Sequence, residues 1–477
     1  MARREPVGCK TERRFSNRPV IDVTTTLPLS PALSPEYVGE GANEKGSAMR
    51  TRCLVLAFLV FSPVTLATDI DGVQPASLDQ PRINMLLRRE PKGAPLEVKD
   101  AGFVNIQAFL DTGASGVMLS PKTADALGIR RAKAKGRSGT PVSIIFHDVG
   151  VSGSDKFNVA EPLHASLMRF HSGSEGDGPE EYKLNVAPFR AQVGPLGGGF
   201  GLMDLVMSNL DVVGMPALKG KVMVMDPKPV NKFDDTMRTY VYEPKTRFDQ
   251  GNAHRDPGIP KTNRHVKLTY VSFARFTRTE PAGAEGPTLY ANPFIGPDPT
   301  NPVGAAGAGG IVAAHNGKRA AASWLLDTGA AASIISTRLA AAVGVTYKPG
   351  TEGTDNPVLL GVPKEKQFSL TVGGIGGSKK SAGFFLDSIT IPTLENDPLV
   401  YRGAPVLVLD ITATDPATKQ QVTIDGVLGM NFLVASAKVS EGLLPDIGNL
   451  TEGPYEWIVF DEPAGILGLH LRKDLGQ

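Results

Sequence analysis

Cysteine is almost missing from this chain. Its 477 residues hold two, Cys9 and Cys53, and both lie in the amino-terminal stretch before Ala67. A chain cut after Ala67 therefore has no thiol, which excludes disulfides, thiol nucleophiles and cysteine-ligated zinc. A surplus of either charge is also missing. Lys and Arg number 50 against 49 Asp and Glu, so nothing calls for nucleic acid or an anionic membrane as partner. The seven histidines form no HExxH, and no GxSxG occurs, which removes the metallopeptidase and serine hydrolase signatures. No metal and no cofactor is expected. Beyond residue 61 there is no apolar run long enough to span a bilayer, so no stable membrane anchor is expected either.

The one long apolar run has a different meaning. Met49-Arg50-Thr51-Arg52 is a short basic segment, Cys53 to Phe61 is apolar, and Thr65-Leu66-Ala67 offers small residues where a signal peptidase reads. Residues 49–67 are predicted to be a secretory signal, which puts the protein outside the cytoplasm, secreted or periplasmic. Residues 1–48 have no amphipathic period, precede the predicted signal, and are not expected to belong to the mature protein.

Glycine and proline are abundant, 53 and 38 residues, which fits a turn-rich β architecture. The dominant feature is a repeat. Asp111-Thr112-Gly113-Ala114 recurs as Asp327-Thr328-Gly329-Ala330, 216 residues later, each copy after an apolar run ending in Leu110 or Leu326. Aligned without gaps, Ser120 falls on Ser336, Ala124 on Ala340 and Gly128 on Gly344. Val212-Val213-Gly214-Met215 then corresponds to Val427-Leu428-Gly429-Met430, at a spacing from the aspartate that differs by one residue. Tyr240 to Pro244 and Ile458 to Pro463 close the two units. Three markers in one order make an internal duplication of two large lobes, not a solenoid.

The expected units are a first lobe at 68–245, a connection at 246–264 and a second lobe at 265–477. Residues 68–85 read as a polar lead-in with room for a short propeptide. Pro121 to Leu127 reads as a helix stopped at Gly128. Strands are expected at 143–146, 156–159, 189–193, 221–227 and 265–271, and a loop at 301–310. Phe368 to Ile391 reads as a hairpin with Gly373, Gly374, Ile375, Gly376 and Gly377 at its tip.

Hydrolysis of a peptide bond without metal or covalent intermediate needs a general base for water and a general acid for the carbonyl and leaving amine. Two carboxylates a few ångströms apart supply both, because like charges that close cannot both ionise. Glycine after Asp-Thr permits a tight loop presenting the carboxylate. On the two Asp-Thr-Gly-Ala copies and the downstream apolar-apolar-glycine signals, the chain resembles the aspartic peptidases, which include pepsin and the retroviral proteases. The resemblance implies an all-β, bilobal acid-protease fold and an endopeptidase with peptide or protein substrates, working as a monomer that is an internal pseudo-dimer. Asp111 and Asp327 would be the catalytic pair, with Thr112, Gly113, Thr328 and Gly329 supporting the loops. Gly373 to Gly377 would be a substrate flap, with a second candidate at Gly150 to Phe157. Ala114 and Ala330 look more like the retroviral type, and neither tip carries the flap tyrosine of pepsin. Without a hydroxyl at either alanine, the pair is expected to titrate high and to work in mild acid. The alternative is a catalytically silent, or narrowly specific, peptide-binding or processing protein on the same scaffold.

Overall fold

The computed structural model describes residues 28–29, 67–98, 104–135, 139–150, 153–168, 170–171, 184–194, 210–227, 237–252, 257–271, 278–281, 304–414, 418–439 and 445–474. The predicted signal up to residue 66, both cysteines and, apart from 28–29, the text before Met49 lie outside them. Among the described residues no helix is long and apolar enough to cross a membrane.

The fold is all-β and two-lobed. One 11-stranded sheet is built mainly from the first half and one 10-stranded sheet mainly from the second. A 6-stranded sheet joins the halves. In it Val222–Asp226 pairs on one side with Arg238–Tyr242 and on the other with Tyr455–Asp461. The two closing markers of the repeat are therefore neighbours of one shared strand. All five residues of Val222–Asp226 are buried, as befits a strand covered on both faces.

The duplication is visible in hydrogen bonding. Val212–Val213 runs parallel to Ile106–Leu110 and antiparallel to Val117–Leu119. Gly426–Leu428 has the same relation to Lys318–Leu326 and Ile334–Ile335. Each lobe thus threads an apolar strand behind its aspartate loop. The helix Pro121–Ala126 starts at Ser120, whose hydroxyl accepts from Thr123 N, and Thr337–Ala342 starts at Ser336, which accepts from Leu339 N. Gly128 and Gly344 follow with φ of 60° and 88°, the left-handed conformation that ends a helix cheaply only at glycine.

Several expectations need revision. The 189–193 strand is two strands, Leu184–Phe189 and Gln192–Val193. The 265–271 strand is also two, Arg264–Lys267 in the shared sheet and Thr269–Val271 in the second lobe. The expected loop at 301–310 is a strand from residue 305, Ala305–His315, with a bulge between Ala308 and Ile311. Its small residues serve close packing: a methyl on Gly307 would lie 3.0 Å from the Trp324 carbonyl oxygen.

The lead-in changes most. Thr68–Ile70 pairs in parallel with Leu399–Val408, and Ala76–Ser77 pairs with Ser436–Val439, all second-half partners. Arg402 holds Asp69, and Arg264 reaches Thr68 Oγ1 at 3.1 Å. Residues 68–80 are a strap across the second lobe, and Arg82–Arg88 then enters the first-lobe sheet beside Ile106–Leu110. In the other direction, Arg278–Pro281 pairs with Pro141–Gly150 of the first lobe.

Candidate active site

Asp111 and Asp327 each follow a buried leucine that ends a strand, Leu110 and Leu326. Backbone bonds from Asp111 N to Val213 O, 3.0 Å, and from Asp327 N to Leu428 O, 3.1 Å, fix the two loops to the strands behind them. Each loop then folds back onto that strand: Met215 N donates to Ala114 O and Met430 N to Ala330 O, both at 2.8 Å. Gly214 and Gly429 are required there. A methyl on Gly214 would sit 2.3 Å from Ala114 O, and one on Gly429 2.6 Å from Ala332 O. The second half of each repeat marker is therefore a packing requirement of the aspartate loop, which explains its fixed spacing.

The two loops meet as a pair. Thr112 N donates to Thr328 Oγ1 at 3.0 Å and Thr328 N to Thr112 Oγ1 at 3.1 Å. Each hydroxyl in turn donates to the carbonyl ahead of the opposite aspartate, Thr112 to Leu326 O at 2.8 Å and Thr328 to Leu110 O at 2.7 Å. All four bonds are buried and cross between the halves. Gly113 and Gly329 let the carboxylates approach the opposite loop. A methyl on Gly113 would lie 2.6 Å from Asp327 Cγ, and one on Gly329 2.6 Å from Asp111 Cγ.

Both aspartates are buried, 2% and 1% exposed, so neither carboxylate is offset by bulk water. Asp111 Oδ1 accepts from Gly113 N at 2.8 Å and Ala114 N at 3.1 Å, and Asp327 Oδ1 accepts from Gly329 N at 2.9 Å. These bonds favour the charged form. Burial, and next the Asp327 charge, outweigh them and push the Asp111 carboxyl well above the usual carboxylate range. The arrangement can hold one proton between two carboxylates, the state that acid–base activation of a bound water requires.

The hairpin with the glycine-rich tip is formed by Gln367–Gly374 and Gly377–Ile391, with Gly374 opposite Gly377. Gly376 and Gly377 have φ of 88° and 106°, which only glycine adopts without strain. Ile375 is buried, not exposed, and belongs to a first-lobe apolar cluster with Met118, Phe146, Phe157, Val159 and Leu210. Its Cβ would be 2.7 Å from a methyl on Gly150, where Pro141–Gly150 turns toward Gly153–Val159. The tips of the two candidate flaps are therefore in contact, with the lobe-two tip seated on lobe one. Residues 151 and 152, in the turn between those strands, lie outside the described residues.

Three contributors carried no sequence motif. Asp211, which merely preceded the Val212-Val213-Gly214 marker, accepts from Ser120 N at 2.8 Å and Thr123 Oγ1 at 2.7 Å. Ala306, in the stretch expected to be a loop, donates from its backbone to Thr112 O at 2.9 Å. Gln80, in the lead-in, donates its side-chain amide to Gly329 O. Only Asp211 had a legible signal, an acid one residue before an apolar pair. Among the described residues no group of three or more His, Cys, Asp or Glu could hold a metal.

Comparison with known proteins adds little. No family model matches the chain, and no curated protein matches it. Among solved structures it is similar to the crystal structure of basic 7S globulin from soybean, at 10% identity and a TM-score of 0.32, over 83% of this chain and 95% of that one.

Proposed function

We propose that this protein is an aspartic endopeptidase in which a water molecule is activated between Asp111 and Asp327. The observation that carries this reading is the mutual burial of the two carboxylates, each against the other's Asp-Thr-Gly loop. One carboxylate takes a proton from water as the water attacks the scissile carbonyl. The other, protonated, donates to the carbonyl oxygen, and the proton passes on to the leaving amine. The buried threonine lattice keeps the pair in register, so little reorganisation accompanies the charge movement. The substrate is a peptide or protein segment in extended form, covered by the hairpin tips.

The test is Asp327→Asn, assayed on a peptide library beside the parent protein and beside the parent with pepstatin. A carboxamide at 327 can neither ionise nor give up a proton, so cleavage should fall by about a thousandfold or more, in the range mutation of a catalytic group commonly costs. Wild-type cleavage by Asp327→Asn would show that the mechanism is wrong.

A further inference from the structure

Residues 77–81 touch both aspartate loops at once. Ser77 N donates to Ala331 O at 2.8 Å, and the Gln80 side-chain amide donates to Gly329 O, so the strap holds the loop after Asp327 at two points. Immediately beyond, Pro81 O accepts from Leu110 N at 2.8 Å, the residue before Asp111. Gln80 is buried, 7% exposed. Its backbone cannot drift, because Asp79 Oδ1 accepts from Gln80 N at 2.8 Å while Asp79 Oδ2 accepts from Met237 N at 2.6 Å. Arg82 lies 3.9 Å from Asp79 and 5.0 Å over the Phe109 ring. Proline at 81 keeps Gln80 extended.

We propose that Gln80 is a positioning residue of the two-aspartate site: delivered by the amino-terminal strap, its carboxamide holds the Gly329 carbonyl and so sets the Asp327 loop against the Asp111 loop. The proposal rests on the hydrolytic reading above for its effect on activity, and on geometry alone for its effect on the dyad. Its physical basis is that Gly329 lies so near the Asp111 carboxyl that a methyl there would come within 2.6 Å of Asp111 Cγ. A shift of the Gly329 peptide therefore changes the distance between the two carboxyls, and with it how they share a proton.

Gln80→Met keeps the volume and removes the donor; Gln80→Glu replaces the donor with an acceptor facing a carbonyl. Asp71→Ala, at an exposed strap position, is the control. Each is compared with the parent protein for kcat and KM on a peptide library, for the pH profile, for thermal unfolding, and for the carboxyl titration of Asp111 and Asp327 followed by carbon NMR. Gln80→Met should lower kcat about tenfold, as misplacement by a fraction of an ångström does. Its KM should stay within about twofold and its melting point within a few degrees. The apparent pKa values of the dyad should move, and Gln80→Glu should be worse. Unchanged kcat, pH profile and dyad titration in Gln80→Met would overturn the proposal, as would a loss of activity matched by loss of folded protein. If the parent cuts no peptide, the hydrolytic reading fails by itself. The dyad titration then still decides the role of Gln80.

Discussion

At the scale of single residues, the site depends on atoms that are absent as much as on those present. Gly113 and Gly329 leave room for the opposite carboxylate, so Gly329→Ala should displace Asp111 and cut activity about a hundredfold while circular dichroism stays unchanged. The threonines act through hydroxyls. Thr328→Ala would leave Thr112 N and Leu110 O without their partner in a buried place. The cost should be about 2–4 kcal/mol of stability, read by denaturant unfolding, whereas Thr328→Ser should stay near the parent. The placement of Asp111, Thr112, Gly113 and their second copies on two matching loops was legible because a carboxylate loop and its glycine are local chemistry, written in adjacent letters. Gln80 was not legible, since its value comes from a carbonyl 249 positions away.

At the scale of elements, the sequence predicts a helix at Pro121 to Leu127 stopped at Gly128 and a glycine-tipped hairpin within Phe368 to Ile391, and the structure contains both. The sequence did not predict where the hairpin tip would rest. An exposed tip and a seated one have the same sequence pattern; only the first-lobe pocket formed by Met118, Phe146 and Phe157 distinguishes them. Ile375→Ala should release the tip, and amide hydrogen exchange at 373–377 should rise several-fold while the strands Leu399–Val408 and Lys318–Leu326 keep their protection. Unaltered exchange would show that the tip is held by other contacts. The expected loop at 301–310 is a strand from residue 305 for a related reason. Glycine and alanine look like loop composition, but here small residues let backbones pack tightly against Trp324 and the Thr112 carbonyl.

At the scale of the whole molecule, three buried carboxyls are raised together, and that sets the sign of their contribution to stability against pH. Burial pushes Asp211 up to about 6 from 3.8, against the hydrogen bonds from Thr123 and Ser120, and burial also raises Asp79 and Asp111. A carboxyl whose folded pKa lies above its unfolded value is stabilised by the fold in its protonated form. That stability is fully present below the unfolded pKa and is lost as pH rises through the folded one. For Asp211 the window runs from 3.8 to about 6, worth about 3 kcal/mol at about 1.4 kcal/mol per pH unit. The melting temperature should therefore be higher at pH 5 than at pH 7.5, and Asp211→Asn should flatten the difference. A protein more stable at pH 7.5 than at pH 5 would contradict this. The raised Asp111 carboxyl extends upward in pH the range over which the two aspartates keep one proton, in the direction of the mild-acid activity expected above.

The sequence by itself determined that two homologous β lobes would each bring one aspartate on a glycine loop, with an apolar strand and a capped helix behind it. Those features are fixed by short-range geometry repeated twice, and repetition makes them readable. Only the tertiary structure decided that residues 68–80 belong to the second lobe's surface, that Arg278–Pro281 returns to the first lobe, and that the hairpin tip closes on its neighbour. Each of these is a choice among partners distant in the chain, made by burial and backbone pairing that no local pattern encodes.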